Sequence, residues 1–214
     1  MNSFLKRPKL TRLMIRLGIT GGIGSGKSYV SHLLAERGMP LYDTDLEAKR
    51  ITAAHPSVRR ELRLLLGDGV YDSGGGLNKP LLASYLFASE ENARRINSII
   101  HPYVFEDFQR WAEVRRQEGC PLVGMECAIL FESGFHHGVD KVAMVYAPVG
   151  LRVRRAMERD KATEAQVRAR MAVQMDEEEK RLRSDFVLLN DGVSDLAPQL
   201  DSLLISLVGR KELV

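Results

Sequence analysis

The sequence predicts an α/β protein with a doubly wound, parallel sheet of five strands. Five short apolar segments alternate with stretches of helical periodicity along the 214 residues. The first apolar segment leads into residues 21–28, Gly-Gly-Ile-Gly-Ser-Gly-Lys-Ser, which fit the P-loop pattern G-x-x-x-x-G-K-[ST] at every fixed position. The length suits one such domain that carries an insertion.

The glycine-rich segment predicts a site for a nucleoside triphosphate and Mg²⁺. Glycines let several backbone N–H groups point at one phosphate, and the following helix adds partial positive charge there. Lys27 can reach the β- and γ-phosphates, and the Ser28 hydroxyl can bind Mg²⁺. The alternative is a glycine-rich turn that matches by chance, against which the flanking strand and helix argue. The residues expected to contact the nucleotide here are Gly22, Ile23, Gly24, Ser25, Gly26, Lys27, Ser28 and Tyr29.

The remaining elements follow from apolar spacing and from helix-start signals. Strands are predicted over residues 13–20, 39–42, 121–127, 141–147 and 186–189. Helices are predicted over residues 27–37, 47–54, 58–66 and 93–100, around residues 81–86, and at the end of the chain. His101-Pro102 is expected to open a separate, longer helix, because proline suits a first-turn position. Thr163-x-x-Gln166 is a capping box that predicts another helix start, and Asp176 is expected to begin a further helix in a similar way.

Polar side chains lie at the carboxyl ends of three predicted strands, where open α/β sheets bind their ligands. Asp43 and Asp45 follow the second strand, although Thr44 or Asp45 could instead cap a helix that starts near residue 46. Glu126 ends the third strand and could hold Mg²⁺ through water; the alternative is a solvent-exposed acid. Asn190 follows the fifth strand and could contact an adenine edge, or simply form a turn.

The order of the elements suggests four parts. Residues 1–12 are expected to be a solvated tail, and residues 13–45, 120–150 and 184–214 to form the nucleotide-binding core. Residues 46–119 would be a helical insertion that holds an acceptor substrate, and residues 151–183 a helical lid. Arg155 and Arg159 share a face of that lid and suit phosphate oxygens. For most arginines of this stretch, a solvated helix with ion pairs is the better interpretation.

Composition narrows the class of protein. The net charge is only +3, from 31 Lys+Arg against 28 Asp+Glu, which does not argue for a nucleic-acid partner. No apolar run approaches the ~20 residues that span a bilayer, and the N-terminal region lacks the apolar core of a signal peptide. Cys120 and Cys127 are expected to be reduced thiols of a cytoplasmic protein without a membrane partner. A monomer is compatible with this sequence.

Three classes of P-loop protein compete. A small-molecule kinase is favoured by the helical insertion and the arginine-bearing lid. A GTPase switch needs an N-K-x-D motif, which Asn78-Lys79-Pro80-Leu81 begins without supplying the aspartate. A nucleic-acid-directed ATPase finds little support in the balanced charge and the single tryptophan.

Several short motifs, taken together, are more specific than the P-loop alone. They are residues 18–28, Asp43-Thr44-Asp45, His101-Pro102 and Ile129-Leu130-Phe131-Glu132, followed by residues 155–160, Gln174 and Ser184-Asp185…Asn190. With them the chain, from Leu17 to about Leu200, closely resembles dephospho-CoA kinase, the family that performs the last step of coenzyme A synthesis. The resemblance implies a P-loop NTPase fold of the nucleoside-monophosphate-kinase type, with ATP, Mg²⁺ and dephospho-CoA as ligands.

The resemblance also implies roles for individual residues. Asp45 would be the general base that takes the proton from the ribose 3′-hydroxyl of dephospho-CoA, and Arg155 and Arg159 would stabilise the transferring phosphoryl group. Asn190 would lie near the adenine of ATP. The catalytic residues would be Asp45, Lys27 and Arg155; the dephospho-CoA site would include Thr20, Asp45, His101 and Glu132; the metal site would include Ser28, Asp43 and Glu126.

The chain departs from the family pattern at four positions without losing a group that the mechanism needs. Tyr29 stands where threonine is usual, Lys79 where arginine is common, Glu126 where aspartate is usual, and Ala128 where proline is usual. The change at Glu126 bears most on function. Glutamate is longer than aspartate by one methylene, which moves its carboxylate, and Mg²⁺ accepts ligand oxygens only within a narrow range of distances.

Overall fold

The computed structural model describes residues 14–209 and contains the predicted five-stranded parallel sheet. The order of the strands across the sheet is β2-β3-β1-β4-β5, and every neighbouring pair is parallel. The strands are β1 (Ile15–Thr20), β2 (Leu41–Asp43), β3 (Leu122–Glu126), β4 (Lys141–Tyr146) and β5 (Phe186–Leu189). The tail predicted over residues 1–12 lies outside the described residues.

Helices connect the strands, as parallel neighbours require crossover connections. They are α1 (Lys27–Glu36), α2 (Thr44–Ala54), α3 (Pro56–Leu66), α4 (Lys79–Ala88), α5 (Glu90–Gln117), α6 (Val149–Asp160), α7 (Glu164–Ala172), α8 (Glu177–Arg183) and α9 (Leu196–Val208). Helices α2 to α5 fall between β2 and β3, and α6 to α8 fall between β4 and β5. Between residues 46 and 119 the chain is thus mostly helical, with a turn region from residue 67 to residue 78 that contains a short 3-10 helix and an isolated bridge between Tyr71 and Leu77.

Apolar side chains cover both faces of the sheet. Along β3, Val123 and Met125 pack in one cluster with buried residues of α2, α3 and α5, while Leu122 packs in a second cluster with α1 and α9. Successive residues of a strand point to opposite faces, so this division places helices on each side. The sheet is thus doubly wound, which confirms the predicted fold class.

Helix α5 corrects one prediction about the insertion. Its 28 residues run without interruption through Pro102, so the separate helix expected to open at His101-Pro102 is wrong. The helix begins at Ser89, whose side chain accepts a hydrogen bond from the Asn92 backbone N–H. Its buried residues recur every four positions across the proline, which explains how packing outweighs the hydrogen bond that proline cannot donate. They are Ile96, Ile100, Val104, Phe108 and Ala112.

The start of α2 corrects a second prediction, and it decides where two functional candidates lie. The Asp43 carboxylate accepts the backbone N–H groups of Asp45 at 2.9 Å and Leu46 at 3.0 Å, so Asp43 is the N-cap. Thr44 and Asp45 are not the cap. Thr44 is buried and donates its hydroxyl to the Glu126 carbonyl at 2.8 Å, whereas Asp45 is exposed in the first turn. The capping box of Thr163 and Gln166 and the cap at Asp176 are confirmed.

Candidate active site

The parallel register brings the carboxyl ends of the central strands to one edge of the sheet. Glu126, the last residue of β3, is level with Ile19 of β1 and Asp43 of β2. The glycine-rich loop leaves β1 directly after Thr20, which is level with Met144 of β4. The loop, the Asp43–Asp45 turn and the segment after Glu126 therefore meet at this edge.

The glycines of the loop are required by close neighbours as well as by backbone conformation. Gly24 and Gly26 have φ angles of 78° and 87°, in the left-handed region that favours glycine. A Cβ on Gly24 would lie 2.1 Å from the backbone oxygen of Arg152, and one on Gly26 would lie 2.0 Å from the Asn190 side-chain nitrogen. Helix α6 and the turn after β5 thus press directly on the loop, and a side chain at either glycine would displace them.

A cavity of about 370 Å³ opens over the loop. It brings together the loop, the exposed carboxylate of Asp45 and two arginines of α6, which is the combination expected of a phosphate site. Its walls are Gly21, Gly22, Ile23, Gly24, Gly26, Lys27, Ser28, Tyr29, Asp45, Ala128, Arg155 and Arg159. We call it the P-loop cavity.

Lys27 and Ser28, which line the P-loop cavity, form a compact polar cluster with the buried Glu126. The Lys27 ammonium contacts the Glu126 carboxylate directly, and the Ser28 hydroxyl donates to the same Oε1 atom at 2.7 Å. Burial alone would raise the pKa of Glu126, but Lys27 and Ser28 outweigh it and hold that pKa below its ordinary value. Glu126 is therefore an ionised, buried carboxylate and not the solvent-exposed acid of the alternative interpretation.

Four predicted site residues lie outside the walls of the P-loop cavity given above and hold the backbone around it. Ser25 is fully buried, and its carbonyl accepts a 2.8 Å hydrogen bond from the Asn190 side chain. Thr20 is also fully buried and reaches the Ala128 carbonyl at 3.4 Å. Asp43 caps α2, as described above. Through these contacts Asn190 supports the loop, a role that neither the adenine-contact prediction nor the simple-turn alternative anticipates.

The two arginines predicted on the lid differ in their surroundings. Arg155 is partly buried and donates to the Asn190 carbonyl at 2.9 Å, which holds it beside the loop. Arg159 is exposed and pairs with the neighbouring Asp160 at 2.7 Å. Both line the P-loop cavity, so α6 presents two guanidinium groups where phosphate charge would lie.

A second, larger cavity of about 650 Å³ lies between α5 and the segment that follows β3, and we call it the acceptor cavity. His101 and Glu132, both predicted substrate residues, are part of its wall. Burial lowers the pKa of His101, so its ring is neutral at pH 7 and can donate one hydrogen bond and accept one. The wall consists of Arg94, Asn97, Ser98, His101, Pro102, Phe105, Glu132, Ser133, Gly134, Phe135 and His137.

Sequence reasoning missed two side chains that hold the loop from the predicted lid. The backbone N–H of Ile23 donates to the Gln174 side chain at 3.1 Å, and its carbonyl accepts from Arg152 Nε at 3.0 Å. Arg152 is itself buried and paired with Glu177 at 3.1 Å. Gln174 belongs to the motifs that carry the resemblance, but no local pattern separates Arg152 from the other arginines of its helix.

Residues 14–209 contain no group of three or more His, Cys, Asp or Glu side chains arranged to hold a metal ion. Within the same range, every helix is too short or too polar to cross a bilayer. Cys120 and Cys127 are free thiols, as predicted.

The fold and the glycine-rich loop together place the chain in the class of P-loop nucleotide-binding proteins. The shikimate kinase of Acinetobacter baumannii, solved in complex with shikimate, is similar in fold, with a TM-score of 0.54 at 16% identity. That alignment covers 94% of this chain and 97% of the other. This likeness concerns the fold alone.

Closer relatives identify the family. The family model described as dephospho-CoA kinase matches residues 15–195. The dephospho-CoA kinase of Bacteroides fragilis (strain YCH46) is 51% identical over 192 residues, which cover 90% of this chain and 92% of that protein. A solved structure from Thermus thermophilus is 38% identical, with a TM-score of 0.77, over 92% of this chain and 99% of the other. The chain belongs to the dephospho-CoA kinase family, transferases of the last step of coenzyme A biosynthesis, and the resemblance inferred from its motifs is confirmed.

Proposed function

We propose that this chain transfers the γ-phosphoryl group of ATP to the ribose 3′-hydroxyl of dephospho-CoA, giving coenzyme A and ADP. The observation that carries this proposal is the position of Asp45, an exposed carboxylate in the wall of the same cavity as the P-loop. The segment after β3 connects that cavity to the larger one, because Ala128 lines the first and Glu132 lines the second. Two adjoining cavities suit a reaction between two bound substrates.

Asp45 is the proposed general base. Its backbone N–H is fixed by the Asp43 side chain, and its own side chain faces solvent at the first turn of α2. A carboxylate held there can accept the proton of a sugar hydroxyl as that oxygen attacks phosphorus. Asp43 thus contributes as the residue that orients the turn, in addition to its proposed place beside the metal.

Lys27, Arg155 and Arg159 are the proposed cationic groups around the transferring phosphoryl. Phosphate oxygens would compete with Glu126 for the Lys27 ammonium, which is already within contact distance of a carboxylate. Arg155 is pre-oriented by its bond to the Asn190 carbonyl, so little side-chain freedom remains to be lost on binding. The expected effect of these charges is stabilisation of the transition state through electrostatics and positioning.

The oxygen atoms of Ser28 and Glu126 fit Mg²⁺. Ser28 Oγ and Glu126 Oε1 are 2.7 Å apart, and both are oxygen ligands of the kind that a hard cation prefers. Asp43 is the third proposed ligand residue, although its Oδ1 already accepts two backbone N–H groups. Bound Mg²⁺ would neutralise charge shared by the β- and γ-phosphates.

The function is tested by coupled ADP release with ATP and Mg²⁺, with dephospho-CoA, AMP, shikimate and adenosine added separately. Release only with dephospho-CoA, and a product with the mass of coenzyme A, is the expected result. Release with another acceptor would move the chain to a different P-loop kinase activity. ATP dependence, Mg²⁺ dependence, a monomeric state and a cytoplasmic location stay predictions, as does the absence of nucleic-acid and membrane partners.

The role of Asp45 is tested by Asp45→Asn. We expect kcat to fall by about 10²-fold or more with ATP binding retained, because the amide cannot accept the proton. Asp201→Asn, an exposed residue on α9 that pairs with Arg37, is the matched control and should behave as wild type. Near-normal turnover of Asp45→Asn would show that another group is the base.

A further inference from the structure

Lys180 is a charged residue with no access to solvent. It lies on α8 and is fully buried, with a relative exposure of 0%. Its ammonium donates to the Ala128 carbonyl at 3.0 Å and pairs with Glu132 Oε1 at 3.0 Å. Both partners belong to the segment between β3 and the turn at residues 135–138, some 50 residues earlier in the chain.

A buried ammonium is costly unless specific partners replace its water. Replacing both partners of a buried ion pair by apolar side chains of similar volume is often neutral or stabilising. The main effect of the Lys180 contacts is therefore to fix the positions of Ala128 and Glu132, and not to stabilise the folded state. The two residues that it holds line different cavities: Ala128 belongs to the P-loop cavity and Glu132 to the acceptor cavity.

The contacts of Glu132 show what Lys180 fixes. Oε1 of Glu132 receives both the Lys180 ammonium and the backbone N–H of Met175, at 3.0 and 2.9 Å. Within residues 14–209, the hydrogen bond and the ion pair of this carboxylate fall on Oε1, and Glu132 lines the acceptor cavity, so Oε2 is the oxygen left for a ligand there. A hydrogen bond and an ion pair on the same oxygen restrict the plane of the carboxylate and the direction of its second oxygen.

We propose that Lys180 is a positioning residue for phosphoryl transfer, which fixes the segment from Ala128 to Glu132 so that Glu132 presents Oε2 to the acceptor. The proposal rests on the proposed function, because it assigns the acceptor to the cavity that Glu132 lines. Lys180 itself does not touch the substrates. It acts through the carboxylate and the carbonyl that it holds, and so couples the geometry of the two cavities.

The test is a double-mutant cycle with Lys180→Met and Glu132→Gln, in the full-length enzyme, with kcat and KM measured for dephospho-CoA and for ATP. Lys180→Arg keeps the charge, and Lys141→Met is the matched control. Lys141 also pairs with a carboxylate, that of Asp185, but it lies at the amino end of β4, away from the loop. Thermal unfolding is recorded for every variant.

We expect Lys180→Met to lower kcat/KM for dephospho-CoA by about tenfold or more, the equivalent of one charge-assisted hydrogen bond, with the KM for ATP unchanged. Its Tm should fall by less than the full cost of breaking a buried ion pair, because the Glu132 side chain is 23% exposed and can be hydrated, and the loss of kcat/KM should persist well below that Tm. Lys180→Arg should recover most of the activity. The double variant should be no worse than Glu132→Gln alone, because the lysine acts through that carboxylate.

Other results would overturn the proposal. A loss of activity that follows a loss of Tm, or additive effects in the double variant, would give Lys180 a merely structural role. If Lys180→Met does not fold, Lys180→Gln removes the charge while keeping a donor, and wild-type kinetics in that variant would refute the proposal. A wild-type enzyme that is inactive with dephospho-CoA would instead refute the proposed function.

Discussion

Replacement of Glu126 by glutamine tests whether the polar cluster under the P-loop is energetically coupled. The Lys27 and Glu126 side chains are only 12% and 6% exposed, so water cannot replace the carboxylate. Breaking a buried ion pair by removing one partner costs about 3–5 kcal/mol, and glutamine keeps one acceptor for Lys27 and Ser28. We therefore take the lower end, about 3 kcal/mol. For a chain of this size that corresponds to a Tm lower by about 6–12 °C.

The assay is thermal unfolding with and without ATP. Glu113→Gln is the matched control, because Glu113 pairs with Arg116 on the exposed surface of α5 and its loss should leave Tm unchanged. Because phosphates supply the negative charge that Lys27 has lost, ATP should raise the Tm of Glu126→Gln more than that of wild type. A Tm within about 2 °C of wild type would refute the reasoning, since it would mean that Lys27 is solvated without its partner.

The same variant gives a pH signature. The folded-state pKa of Glu126 lies below its ordinary value, so its carboxylate contributes stability above the unfolded pKa of about 4.3. That contribution is lost as the pH falls through the lower, folded-state pKa. The Tm difference between wild type and Glu126→Gln should thus be constant above about pH 5 and narrow below about pH 4. A difference that grows on acidification would contradict the assignment of an ionised carboxylate.

Two further substitutions test the support of the loop. Gly24→Ala places a Cβ 2.1 Å from the backbone oxygen of Arg152 at a φ of 78°, so we expect a lower Tm and weak ATP binding by calorimetry. Gly150→Ala, where a Cβ meets nothing within 4 Å, is its control and should bind ATP normally. Asn190→Ala leaves the Ser25 carbonyl without its donor, a loss of about 1–2 kcal/mol, and should raise the KM for ATP by about 5–30-fold. An unchanged KM would mean that the loop keeps its shape without Asn190.

The parts of the site that sequence predicted are those that local patterns encode. The loop and the acids after β2 and β3 follow from glycine spacing and from the rule that parallel strands end at one edge. The sequence predicts to within a residue or two where Asp45 lies in the chain relative to β2 and α2. It does not predict that Asp43 is the residue that caps α2. Asp43, Thr44 and Asp45 are all good capping residues, and only the tertiary position of Thr44 under Glu126 decides among them.

The sequence also contains evidence against a helix start at Pro102, namely the apolar repeat that continues on both sides of the proline. Proline is common at helix starts, and the prediction gave that local preference more weight than the apolar repeat. The four-residue repeat from Ile96 to Phe108 crosses the proline without a change of phase, which indicates one continuous helix. A single lost hydrogen bond is small beside the burial of a stripe that spans about four and a half turns.

The side chains that sequence missed share a different physical cause. The side chains of Arg152, Gln174 and Lys180 form hydrogen bonds with partners 52 to 151 positions earlier in the chain, so no local pattern can reveal them. Among the described residues, the fully or nearly buried charged side chains are Glu126, Arg152 and Lys180. Each one contacts the P-loop or the segment after β3. Burying a charge disfavours folding unless the charge is paired and hydrogen-bonded. The concentration of these three buried charges at one edge of the sheet therefore indicates the site independently of the glycine motif.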